Sequence, residues 1–168
     1  QEPPRFDPFE TWRQIYEANE QAWTKSIREM TTAPDYVEIQ GKMLETFLAE
    51  FPEDPAADRA AFSAANALLE MKDFKQAAAA CDRYAQRYPK SDLLDSYWYV
   101  IGYCHFATGQ HKEAMALCHK VAEAQPIDPD TGRPKESRNK WRAIYILGQI
   151  YHSLGQAADA IREYRRVE

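Results

Sequence analysis

Apolar residues recur at three- and four-residue spacing along most of the chain, as in Trp98, Ile101, Gly102 and His105, and again in Ala114, Cys118 and Val121. At this spacing side chains share one face of an α-helix. No alternating strand pattern of useful length interrupts it, so the class read from the pattern is all-α. Punctuation divides the pattern into about eight helices. Asp7-Pro8-Phe9-Glu10 combines an N-cap Asp, a first-turn Pro and a capping-box Glu, and predicts a helix to about Met30. Thr32-Ala33-Pro34-Asp35 starts a second, to about Phe51. Asp54-Pro55 opens a third that ends near Lys72, and Asp73-Phe74-Lys75-Gln76 opens a fourth with a capping-box pattern. Ser91 begins the fifth, Gly109 separates it from the sixth, and Gly155 separates the seventh from the eighth.

The same pattern repeats over a longer interval. Phe51-Pro52, Tyr88-Pro89 and Gln125-Pro126 end successive segments, and their prolines are 37 residues apart. The interval also separates Ala65 from Gly102, Ala77 from Ala114 and Cys81 from Cys118. From Gly102 to Gly148, and from Ala114 to Ala160, the interval is 46, so nine residues have been inserted into one repeat. A mid-helix glycine costs about 1 kcal/mol against alanine. Its recurrence on the apolar stripe therefore predicts close helix approach at Gly102 and Gly148, with Ala65 equivalent and Ala77, Ala114 and Ala160 as small partners. Trp98 against Cys118, and Ile144 against Tyr164, are expected to fill the flanks.

These residues carry a family resemblance. Trp98…Ile101-Gly102…His105…Gly109…Ala114…Cys118…Val121…Pro126 resembles a tetratricopeptide (TPR) repeat, and Ile144…Leu147-Gly148…Tyr151…Gly155…Ala160…Tyr164…Val167 resembles another. Ala61…Ala64-Ala65…Leu68…Ala77…Cys81…Tyr84…Pro89 is similar but lacks both glycines, and residues 8–52 keep only the two-helix layout. The Tyr-Pro-Lys-Ser and Phe-Pro-Glu-Asp endings resemble repeats of bacterial envelope scaffolds. The resemblance implies a right-handed superhelix of antiparallel helix pairs, a TPR-like α-solenoid. Its parts would be a leader over 1–6, a degenerate pair over 7–54 and three repeats over 55–168, in one continuous array with an inserted loop near 126–136. A second stretch, Phe9-Glu10-Thr11-Trp12 through Trp23 to Gly41-Lys42-Met43-Leu44-Glu45, resembles accessory subunits of polyhydroxyalkanoate synthases.

In stacked pairs of this kind the first helix of each pair lines a concave face. On the fifth helix that face carries Tyr99, Tyr103 and Phe106. Arg59, Phe62 and Asn66 precede them on the third helix, and Arg142, Tyr145, Gln149 and His152 follow on the seventh. Aromatic rings and arginines suit capture of a peptide's apolar and carboxylate groups. The other reading is that neighbouring helices and the insert cover the rings, because the fifth helix is apolar nearly all round. TPR proteins that hold a terminal carboxylate use a set of Lys, Asn and Arg. Only Asn66, Arg59 and Arg142 match, so that clamp is not expected.

Charge and composition narrow the partner. The net charge is −5, with 26 acidic against 21 basic residues, which argues against a nucleic-acid partner. No apolar run approaches the roughly 20 residues of a spanning helix. Three cysteines make no disulfide framework. Cys104-His105 and Cys118-His119 have zinc-type chemistry, yet neighbours on a helix diverge by about 100° and two of the four sit on the packing stripe, so no metal and no cofactor is expected. A Cys104–Cys118 disulfide is a minor possibility. Asp128 and Asp130 in the turn-rich insert fall short of a calcium loop. No nucleophile–base pair or phosphate-cradling loop stands out, so the chain is not read as an enzyme.

The expectation is a protein-protein interaction scaffold that binds a peptide or partner segment, with a helical spacer of a larger extracytoplasmic protein and a synthase or granule accessory subunit as alternatives. The chain begins with Gln1 and stops inside a helical pattern, so it reads as a piece of a longer bacterial protein. Its compartment would be the periplasm or the exterior, with the cytoplasm still open. Self-association through the uncapped last helix, over 157–168, is a further expectation.

Overall fold

A computed structural model describes residues 25, 29, 33–128 and 130–167. Seven helices lie among them: α1 Pro34–Glu50, α2 Ala57–Glu70, α3 Phe74–Arg87, α4 Leu94–Ala107, α5 His111–Glu123, α6 Lys140–Ser153 and α7 Ala157–Tyr164. Of the helix expected to run to about Met30, all but residues 25 and 29 lie outside the described residues. The chain divides into two compact units, residues 1–37 and 38–168, with the boundary inside α1. All of α2 to α7 belongs to the second unit.

α2–α3, α4–α5 and α6–α7 are antiparallel pairs, and from α2 to α7 each helix packs on the next in sequence. α2 also meets α4, and α4 meets α6, so the first helices of the pairs stand in a row. The fold is all-helical; the sole extended pairing among the described residues is an isolated antiparallel bridge between Ile127 and Pro134.

Local chemistry sets the helix ends. Asp73 caps α3: Oδ1 accepts from the Gln76 N–H at 3.1 Å and Oδ2 from Gln76 Nε2 at 2.7 Å. The expected capping pattern is present, although Gln76 donates to the Asp73 side chain where the standard box has it reach a backbone N–H. α2, α4 and α6 end alike, each with a left-handed residue: Lys72 (φ 60°), Gly109 (φ 76°) and Gly155 (φ 74°). After each, an N–H reaches back to the carbonyl five residues earlier: Asp73 to Leu68, Gln110 to His105 and Gln156 to Tyr151, at 2.8–3.0 Å. This is the Schellman closure that favours glycine. These three positions follow the 37- and 46-residue intervals, and only the first holds a side chain.

Two core clusters follow from the repeat. The first joins Ala61, Ala65, Ala77, Cys81 and Tyr84 to Tyr97, Ile101 and Cys104, and the second joins Ala114, Cys118 and Val121 to Ala143, Leu147 and Ile150. The largest wholly enclosed side chain of α4 is Tyr97, whereas Trp98 of the expected stripe is half-buried, with Lys120 Nζ 3.5 Å from its ring centre. Trp98 does pack against the cluster containing Cys118. A Cβ on Gly102 would stand 3.2 Å from Leu117 Cβ, and one on Gly148 would stand 2.4 Å from the Tyr164 ring, so both glycines permit close approach.

All three thiols are free and buried. Cys104 shares a cluster with Cys81 and Cys118 belongs to the other, so the residues considered for a disulfide do not pair. Among the described residues no three His, Cys, Asp or Glu side chains gather as metal ligands.

Successive pairs are joined by a repeated hydrogen-bond relay. Ser91 Oγ donates to Asp58 Oδ2 at 2.9 Å and accepts from the Leu93 N–H at 3.1 Å. One inserted period later, Ser137 Oγ donates to Asp95 Oδ2 at 2.5 Å and accepts from the Asn139 N–H at 3.1 Å. Each serine stabilises the start of a new helix and ties it to the first turn of the helix one pair earlier.

Candidate partner-binding groove

The row of α2, α4 and α6 carries a half-open cavity of about 770 Å³. Five of the ten residues expected to form a groove line it together: Phe62, Asn66, Tyr99, Tyr103 and Arg142. Phe62 meets the buried Tyr97 edge-on, with ring centres 5.4 Å apart. Tyr103 lies 6.3 Å from Phe74 and 6.5 Å from Tyr99. Tyr97 is held by its hydroxyl, which donates to the Asp58 carbonyl at 2.7 Å, so the aromatic floor is braced from below. The Tyr99 and Tyr103 rings are half-buried and pack against the second core cluster. Burial pushes the Tyr99 phenol above its ordinary value, while the positive charge of Arg142 works in the other direction.

The other five expected residues stand elsewhere. Arg59 is exposed on the first turn of α2. Phe106 packs against the second cluster, with its ring centre 6.5 Å from that of His111. Tyr145 is exposed and tilts over Tyr164 at 5.8 Å, Gln149 is half-buried, and His152 is exposed near the end of α6. Equivalence by repeat interval assigned all ten to one face. Among the described residues no further helix pair packs against α6, and none of these five residues lines the cavity.

The remaining lining was not anticipated. Leu69 and Phe74 extend the apolar floor, and Lys72 enters from the left-handed turn after α2. Its signal was present in the sequence, since Lys72 occupies the position that holds Gly109 and Gly155 in the later repeats. A non-glycine residue in that conformation is tolerated at a cost of about 1–2 kcal/mol. Pro126, Lys135 and Arg138 come from the insert and its exit, with Asn139 beside them. The described residues of the insert fold back on one another. Ile127 bridges Pro134, Lys135 N–H donates to the Pro126 carbonyl at 2.9 Å, and Asp128 N–H donates to the Arg133 carbonyl at 2.8 Å. Asp128 accepts from the Asp130 and Thr131 N–H groups and pairs with Lys135 at 3.3 Å, contacts that hold its carboxyl below the ordinary range. The Asp128 carboxylate is therefore a loop-closing group.

At the insert's exit, Asn139 Nδ2 donates to Ser96 Oγ at 3.0 Å, beside the buried Ser137–Asp95 bond. Among the described residues no ion pair neutralises Lys72, Arg138 or Arg142, and neither groove tyrosine hydroxyl has a hydrogen-bond partner. Apolar rings beside unpaired cations make a surface able to bind groups of both kinds.

Antiparallel helix pairs stacked at a fixed period, with their first helices side by side, define a TPR-like helical-repeat protein. The fold resembles solved structures of a Podosopora anserina protein described as a kinesin light chain with nearly identical TPR-like repeats. The match covers 84% of this chain and 70% of that one, at 14% identity and a TM-score of 0.61, and a variant of the same protein gives 0.62. Within this class, residues 14–164 match the model of the YfiO family, described as outer membrane lipoproteins, and the chain belongs to that family. No curated relative matches it. Among the described residues, no helix is long and apolar enough to cross a membrane.

Proposed function

We propose that this chain is a non-enzymatic interaction scaffold of the bacterial envelope, and that it binds an extended segment of a partner protein along the α2–α4–α6 row. The observation that carries this reading is the 770 Å³ cavity, with its ring faces and unpaired cations open to solvent. A concave, mostly apolar site with a few polar groups is where ligands bind in general, and stacked repeats hold such a face in shape before the ligand arrives. Membership of a family of outer membrane lipoproteins supports the envelope as the place of work, and TPR-like repeats commonly serve as scaffolds.

A photo-crosslinking side chain at Tyr103, compared with one at exposed Lys112 on α5, tests the reading in cells carrying the whole protein. Adducts to a partner are expected from position 103 alone and should weaken with Tyr99→Ala. Equal adducts from both positions would remove the groove as the site. Adducts from position 103 only to other parts of the same polypeptide would favour a spacer role. The α6–α7 pair also exposes Ile161 and Tyr145 by about half each, which supports association at that surface. Ile161→Glu should lower any self-association seen by sedimentation, and an unchanged sedimentation coefficient in a self-associating sample would exclude this surface.

A further inference from the structure

The array does not need the insert to close its junction. Removing residues 127–135 would leave Pro126-Glu136-Ser137, the spacing of Pro89-Lys90-Ser91 at the first junction, where the serine–aspartate relay forms without any inserted residue. At that first junction the turn lines a separate hollow of about 390 Å³ with Pro52, Asp54 and Asp58. At the second, Pro126 and Lys135 instead wall the groove.

The charges differ in the same way. Asp92 and Ser96 of the first junction correspond by interval to Arg138 and Arg142 of the second. These two arginines lie four residues apart at the entry of α6, and both line the cavity unpaired. Of the other charges that line the cavity, Lys135 is bound to Asp128 and Asp95 accepts from Ser137, while Glu70 and Lys72 come from the end of α2 and Asp92 from the turn before α4.

We propose, building on the groove reading above, that Arg138 and Arg142 select a partner segment with a side-chain carboxylate next to an aromatic or large apolar residue. The ring would rest against Phe62, Phe74 and Tyr103, the carboxylate would meet the two arginines, and Pro126 and Lys135 would close the pocket behind them. Guanidinium groups favour carboxylates because they donate paired, charge-assisted hydrogen bonds.

The test measures affinities of the full chain for short end-capped peptides with a central Phe flanked by Glu, by Gln or by Lys. Capping removes the terminal carboxylate, so only side-chain carboxylates are tested. The Glu peptide should bind about tenfold more tightly than the Gln peptide, a preference worth about 1.4 kcal/mol, and the Lys peptide most weakly. Arg138→Ser with Arg142→Ser should equalise Glu and Gln, and Arg142→Glu should favour Lys. Excising 127–135 should weaken all three peptides while keeping their order. Equal wild-type affinity for Glu and Gln peptides would overturn the selectivity while the groove reading stands. Failure of all three to bind would remove both. A preference that survives the double serine variant would overturn the assignment to these arginines. Both arginines are exposed, so these variants should fold even if the excised chain does not.

Discussion

The two junctions between helix pairs are built from the same parts and end up different. At the first, Ser91 reaches Asp58 across a half-buried turn. At the second, Ser137 reaches Asp95 with both residues only 4% exposed, and the Asn139 N–H donates to the same Ser137 hydroxyl. The first junction gains a brace the second lacks, the Tyr97 hydroxyl on the Asp58 carbonyl, since Ala143 stands where Tyr97 stood one repeat before. Stacking therefore rests on one shared geometry in two settings: an aromatic strut in one case, and a more deeply buried bond beside a loop that shapes a cavity in the other. A repeated hydrogen bond tells where pairs join, and its surroundings tell what each junction contributes.

Burial makes the serine substitutions the sharpest way to separate the junctions. Ser137→Ala would leave the buried Asp95 carboxylate short of a donor and should destabilise the protein by about 2–3 kcal/mol. Ser91→Ala, with water able to replace the hydroxyl, should cost about 1 kcal/mol or less. Denaturant titration with unchanged slope checks both, and equal losses would mean that the burial difference has no energetic weight.

A backbone contrast comes next. Lys72→Gly should stabilise the chain by about 1 kcal/mol by relieving the left-handed lysine, whereas Gly109→Ala at the equivalent turn should destabilise it by a similar amount. A loss of stability in Lys72→Gly would show that the lysine side chain makes a contact worth more than the strain. Tyr97→Phe removes only the strut and should cost about 1 kcal/mol. Its effect should add to that of Ser137→Ala and not to that of Ser91→Ala, which acts at the same junction.

The smallest effect separates the two cores. Burial raises the Cys81 and Cys118 thiols to about 12 and Cys104 to about 11, from an ordinary value of 9.0. The unfolded chain releases these protons first, so the thiols' contribution to stability should be constant below about pH 9 and fall as pH rises from there toward 12. At neutral pH all three should resist thiol reagents. Ser91→Ala should speed labelling of Cys81 and Cys104, and Ser137→Ala that of Cys118. Uniform labelling in both variants would mean that the pairs open together.

Much of the fold was legible in the chain because its causes are local. The prolines, the Asp73 cap and the glycines at 109 and 155 act within a turn of themselves, and Gly102 and Gly148 report a packing distance that recurs at the repeat interval. Helix bounds within the described residues moved by about two residues at Pro34–Glu50 and Ala57–Glu70, while the last helix, expected over 157–168, ends at Tyr164. The core was less legible. Tyr97, next to the expected Trp98, is the enclosed residue, since a helix apolar nearly all round does not announce which side faces inward. Half of the expected groove meets the same limit: interval alone makes Tyr145 equivalent to Tyr99, yet Tyr145 meets the Tyr164 ring and does not line the cavity with Tyr99.

The period, the class and the position of the insertion therefore belong to the amino-acid order, because hydrophobic spacing and turn residues act over a few positions. Where the inserted loop lies could not be settled in that way. Ser137 meets Asp95 across 42 residues and Asn139 meets Ser96 across 43. Those contacts bring Pro126, Lys135 and Arg138 to the side of Phe62 and Tyr103. A wall made from segments so far apart exists only when the pairs are stacked, so the groove and its charge are properties of the tertiary structure.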